Sequence, residues 1–183
     1  MPAVAFSASG SGVRDRDGAF VEPERFRRNT YGREIADLGI VVEWTLKRAR
    51  ARDRRATRVG ADAPLRAGLV GHSRGGTLCL LHAASNPRIG CVATLGAQSR
   101  VGIWKPEQIA AWERGEDVSI YDFRTRTRLS VGPGLWNDFK RNRDRYDVPT
   151  AVESLEIPLL IVHGDNDRVV APEEAPLIAS HAA

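Results

Sequence analysis

The chain has 183 residues, 42% of them hydrophobic and 27% charged, values that fit an ordinary globular protein and exclude wholesale disorder. That length suffices for one domain with a buried core and is short for two. The net charge is +4, no apolar run approaches the roughly 20 residues of a bilayer span, and "MPAVAFSASG" lacks the charged leader and long apolar centre of a signal peptide, so a soluble, cytoplasmic protein without a membrane partner is expected.

Taken in chain order, "AVAFS" at 3–7 reads as a strand end running into the small-residue loop "ASGSG", and a long polar loop follows to residue 28. From about Thr30, Ile35, Leu38, Val41, Val42, Thr45 and Leu46 recur at helical spacing, which predicts an amphipathic helix to about residue 50 despite Gly39. The arginine-rich run "KRARARDRRATR" at 47–58 could bind phosphates. Asp53 interrupts it and no aromatic is interleaved, so it reads as a solvated helix end, and no nucleic-acid partner is expected.

"LRAGLVG" at 65–71 predicts a strand and "GTLCLLHAASN" at 76–86 a helix stopped by Asn86 and Pro87. "IGCVATLGA" at 89–97 and "PLLIVHG" at 158–164 are nearly all apolar, as expected of parallel strands covered on both faces. "APEEAPLIASHAA" begins a further helix, with Pro172 and two glutamates in its first turn. Strands alternating with helices imply an α/β fold with a parallel sheet and flanking helices, in a single domain over 1–183. Cys79 and Cys91 lie in apolar stretches without metal-ligand spacing and read as small buried hydrophobes.

Residues 101–150 differ in character. They hold seven of the twelve aromatics, namely Trp104, Trp112, Tyr121, Phe123, Trp136, Phe139 and Tyr146. A helix ("PEQIAAWERG"), a hairpin-like alternation ("VSIYDFRTRTRLSV") and a second helix ("LWNDFKRNRDRY") are expected there. The segment reads as an inserted lid with a small core of its own.

Between the second strand and its helix stands "GHSRGG". Strand, Gly-x-Ser-x-Gly and helix form a nucleophile elbow, in which a strained backbone lifts the serine hydroxyl clear of the sheet. Ser73 is therefore the candidate nucleophile, with Gly71 and Gly75 expected to clear the neighbouring backbone. A serine needs a base, and the base needs a carboxylate to orient it. The turn after a later strand supplies two, Asp165 and Asp167, in "LLIVHGDNDRVVAPEEA".

These two motifs together resemble the α/β-hydrolase superfamily, and "RNTYGREIADL" upstream is similar to its dienelactone-hydrolase-like and feruloyl-esterase-like branch. The resemblance implies that Ser73 is the nucleophile and Asp167, directly before "RVV", the triad acid. The backbone N–H of Arg74 would be one oxyanion donor. His72 would belong to the elbow, His82 to a helix face, and His163 would precede the acid, on the wrong side in chain order.

The same resemblance places the triad histidine after a further helix and strand beyond the acid, and His181 falls where the last helix still runs. It also places the second oxyanion donor after a strand with no counterpart before "AVAFS". The chain is thus expected to be partial at both ends. The function implied is hydrolysis of small-molecule carboxylic esters by a Ser-His-Asp triad, without metal or organic cofactor. The alternative is a non-catalytic relic or binding module that keeps the fold.

Overall fold

The structure is a computed structural model that describes residues 3–13, 20–53, 64–122 and 126–182. The expectations for Arg14 to Ala19, for the arginines at 54–58 and for Phe123 lie outside the described residues, as do the side chains of Asp53 and Asp122. The elements are α1 (Pro23–Arg27), α2 (Tyr31–Asp53), β1 (Ala67–His72), α3 (Arg74–Ala84), β2 (Ile89–Leu95), α4 (Pro106–Glu113), β3 (Val118–Asp122), β4 (Thr127–Val131), α5 (Gly134–Arg141), α6 (Val148–Glu153), β5 (Leu159–Val162) and α7 (Glu174–Ala179). The chain divides into two compact units, one of Met1–Asp37 and Gly102–Asp144, the other of Leu38–Val101 and Arg145–Ala183.

The second unit holds the α/β sheet. Its strand order is β1-β2-β5, with both pairings parallel. Alternate side chains of a strand face opposite sides, so Leu69, Val92 and Thr94 turn together to the side where α3 lies on β1 and β2. Helix α6 packs on α3, and α7 on β5. Leu80, Ile89, Val92, Val148, Val152 and Ile178 are fully buried there, each worth about 1.5–3 kcal/mol of transfer free energy. Helix α6 is set by its N-terminus. Asp147 accepts from the Thr150 amide and hydroxyl, and Pro149 occupies the first turn, a capped start with proline where no amide is needed. Gly39 of α2 leaves room for His82 of α3, whose Cε1 would be 3.3 Å from an added Cβ.

The opposite face of the sheet departs from the expectation of strands covered on both sides. Register aligns Val70 with Ala93 and Leu160 in one row, and His72 with Leu95 and Val162 in the next. Val70 is 74% exposed and Leu160 59%. Cys91, expected to be buried, is exposed on this face beside Gly68, whereas Cys79 is buried. The expected strand at 3–7 has no regular structure and leaves Val4 and Phe6 exposed.

In the first unit, β3 and β4 form the expected antiparallel hairpin. Trp104 makes edge contacts to Trp112, Trp136 and Phe139 and stacks on Tyr31, with ring centroids 5.1–6.1 Å apart, favourable geometries for aromatic pairs. The Trp112 indole N–H donates to the Val131 carbonyl at 2.9 Å, tying α4 to the hairpin. Arg27 donates to Asp117 at 2.5 Å and its carbonyl accepts from Gly132 N–H, tying α1 to the same hairpin. The buried carboxylate of Asp138 accepts from the Gly32 N–H at 3.0 Å and so holds the first turn of α2.

Candidate functional site

Ser73 joins β1 to α3 with φ 52° and ψ −129°, a conformation that costs a non-glycine residue strain of roughly 1–3 kcal/mol. Hydrogen bonds hold it there. The Ser73 N–H donates to the Leu95 carbonyl of β2 at 2.8 Å, and the Ser73 carbonyl accepts from Gly76 and Thr77 at 2.9 and 3.3 Å. A Cβ on Gly71 would come within 2.5 Å of the Gly75 carbonyl oxygen, and one on Gly76 within 2.9 Å of the Gly71 oxygen. Gly75 has nothing within 4 Å of an added Cβ. The clearance expected at Gly71 and Gly75 is therefore needed at Gly71 and Gly76. Arg74 opens α3, so its backbone N–H stands at the positive end of the helix dipole.

Asp167 lies in the loop after β5. Its Oδ1 accepts from the backbone amides of Val169 and Val170 at 2.8 and 3.0 Å. These two bonds hold its carboxyl below the usual carboxylate range, aided by the nearby His163 and His72. Oδ2 lies 3.7 Å from His163 Nε2 and would be 3.2 Å from a Cβ on Gly96, whose φ is +56°. Asp165 is exposed.

Three parallel strands end on the same side, so Ser73 after β1 and Asp167 after β5 flank the end of β2. With strands about 4.8 Å apart, the two loops are separated by about 10 Å. The turn after β2 is anchored on both sides. Thr77 Oγ1 exchanges hydrogen bonds with the backbone of Gln98 at 2.9 and 3.0 Å, and Ser99 N–H donates to Glu174 Oε2 at 2.6 Å.

Three of the four histidines have other partners. His181 Nδ1 contacts Glu153 Oε1 at 2.7 Å. His82 is buried and accepts from Asn86 Nδ2 at 3.0 Å. His163 donates from Nε2 to the Val170 carbonyl at 3.1 Å, and its Nδ1 is buried without a partner among the described residues. His163 thus braces the loop that presents Asp167, a role that chain order alone did not disclose. His72 is exposed at the end of β1. Among the described residues, no group of three or more metal-ligating side chains is gathered, and no helix is long and apolar enough to cross a membrane.

No family model matches the chain, and no curated protein does. The chain is similar in structure to a solved structure described as LipS and LipT, two metagenome-derived lipolytic enzymes, at 18% identity and TM-score 0.60, over 87% of this chain and 62% of that one. It is similar to the monoacylglycerol lipase of Paleococcus ferrophilus at 14% identity and TM-score 0.58, over 85% and 62% of the two chains. A hydrolase from Pseudomonas aeruginosa PA01 is 23% identical with TM-score 0.51, over 84% and 61%. These likenesses show the fold, which is part of the α/β-hydrolase architecture. The chain spans about three fifths of the length of each of these structures.

Proposed function

We propose that the chain carries the nucleophile and the acid of a serine hydrolase acting on small-molecule carboxylic esters, with Ser73 and Asp167 in those roles. The observation that supports this reading most is the strained backbone of Ser73, held at the same end of the sheet as a carboxylate that is itself fixed by two amides. Strain of this kind persists only where the surroundings enforce it, and it concentrates at working sites.

In this reading Ser73 Oγ attacks the acyl carbon and its proton passes to an imidazole oriented by Asp167. The tetrahedral oxyanion accepts from the Arg74 N–H. Collapse expels the alcohol, which takes the proton, and water then cleaves the acyl-serine by the reverse sequence. His82 and His181 are engaged elsewhere and are not the imidazole of this scheme. The dienelactone-hydrolase-like branch, the lid role of 101–150, the absence of a nucleic-acid partner and a cytoplasmic location belong to the same proposal, resting on the sequence motifs and composition.

A fluorophosphonate probe tests it. Ser73 should be labelled slowly in the chain alone, and added imidazole should accelerate labelling by supplying the base. Ser73→Ala should abolish the signal, and Asp167→Asn should remove most of the imidazole effect, a loss on the order of tenfold or more. Labelling equal in Ser73→Ala, or none at any imidazole concentration, would leave a non-catalytic hydrolase-fold module.

A further inference from the structure

Helix α2 has one face in the core, through Leu38, Val42 and Leu46, and a second that nothing among the described residues covers. On that outward side Ile40 is 66% exposed and Trp44, one turn later, 48%. Lys47, Arg48, Arg50 and Arg52 follow, all exposed. At 100° per residue, Ile40, Trp44, Lys47 and Ala51 fall within about 60° of one another, with Arg48 and Arg52 on one flank and Arg50 on the other. The Arg48 guanidinium stands 4.8 Å from the Trp44 ring centroid.

The charges on this helix are unbalanced by use as well as by number. Three of its four acids are engaged: Glu34 accepts from the Asn29 amide, Asp37 from the Ser9 N–H, and Glu43 pairs with Arg88, while the side chain of the fourth, Asp53, lies outside the description. Among the described side chains no carboxylate pairs with Lys47, Arg48, Arg50 or Arg52. An exposed aliphatic and indole pair bordered by cations on both sides is the pattern of a helix lying in an anionic interface. There the indole sits at headgroup level and the guanidinium groups reach lipid phosphates. A nucleic-acid backbone would use the cations but gains little from Ile40. The run at 47–58 reads from the sequence as a solvated helix end; its neighbours Ile40 and Trp44, left exposed by the fold, change that reading.

We propose that the Ile40–Trp44 stripe of α2, with Lys47, Arg48, Arg50 and Arg52, is a peripheral docking surface for an anionic lipid bilayer. The surface is independent of Ser73 and its chemistry.

Vesicle flotation tests it with the full chain, using phosphatidylcholine vesicles with and without about 30 mol% phosphatidylserine at about 0.1 M salt. The chain should float with the anionic vesicles only, and release as salt rises. Each cation near an anionic leaflet contributes about fivefold, so the triple variant Arg48→Gln, Arg50→Gln, Arg52→Gln should bind on the order of 100-fold more weakly. Ile40→Ser with Trp44→Ser, at unchanged charge, should lose about tenfold or more. The triple variant should keep the urea midpoint, because Arg48, Arg50 and Arg52 are exposed, whereas Ile40→Ser with Trp44→Ser should lower it modestly, because Trp44 is half-buried. Val70→Asn, on the open sheet face, should bind as the parent does. Equal flotation with pure phosphatidylcholine would show that the cations play no part, and loss on Val70→Asn alone would assign binding to the sheet face; either result would overturn the proposal. Retention of a DNA duplex that falls in the triple variant but not in the Ile40, Trp44 variant, without vesicle binding, would replace it with a nucleic-acid surface.

Discussion

The carboxylate of Asp167 lies in the space that a side chain on Gly96 would need, 3.2 Å from an added Cβ, and Gly96 holds a left-handed φ of +56°. The end of β2 is thus shaped around the loop that follows β5. Gly96→Ala should lower stability by about 1–2 kcal/mol from the backbone alone and displace Asp167. Urea unfolding reads the first effect and imidazole-accelerated labelling of Ser73 the second. A variant that keeps both would show that Gly96 imposes no constraint.

Ser73→Gly should remove the proposed nucleophile and stabilise the fold together, because glycine adopts φ 52° without the steric penalty. The relief of strain outweighs the added chain entropy by about 1 kcal/mol, read as a higher urea midpoint. Ser73→Ala should give no such gain. An unchanged or lower midpoint in Ser73→Gly would mean that the elbow stores no strain.

The two elbow glycines flanking the serine should behave oppositely. Gly71→Ala drives a Cβ into the Gly75 carbonyl and should cost about 1–3 kcal/mol. Gly75→Ala meets nothing within 4 Å and, inside α3, should be neutral or stabilising by about 0.5–1 kcal/mol. Equal losses in the two would contradict the geometry of the turn.

Burial holds the His82 imidazole below its ordinary value of 6.5, and Nε2 accepts from Asn86 only when it lacks a proton. The unfolded chain therefore takes up this proton at higher pH than the folded one does. The contribution of His82 is complete above about pH 6.5 and falls as the pH drops below it. Urea midpoints between pH 5 and pH 8 should show this slope in the parent, and His82→Gln should flatten it.

The two thiols should separate cleanly. Cys91 is exposed and should react with a maleimide in the native protein. Cys79 is buried and its thiol is pushed up to about 11, so it should react only as the protein unfolds. Native labelling of both, or its persistence in Cys91→Ser, would contradict this assignment.

Local chemistry made the elbow legible in the sequence. The glycine spacing, the apolar run before it and the leucine-rich segment after it are short-range signals, and they locate β1, Ser73 and α3 to within a few residues. Asp147, Pro149 and Thr150 carry an equally local signal for α6, and Pro23 one for α1, yet both helices are so short that no apolar period marks them. Non-local pairing leaves no such local mark. Residues 3–7 have strand composition but no strand beside them. Nothing in "IGCVATLGA" distinguishes a side covered by α3 from one left open, because cover comes from elsewhere in the chain. The same limit applies at the glycines, where Gly75 and Gly76 differ only in what the fold brings near them.

The apolar rows of Val70, Ala93, Leu160, Leu95 and Val162 have a practical consequence for anyone heating the protein. Sheet surface already bare in the native state can adhere to a neighbouring molecule before or during melting, so thermal unfolding should be irreversible. Its apparent midpoint should drift with heating rate and protein concentration, and half-life at a fixed temperature becomes the meaningful measure of robustness.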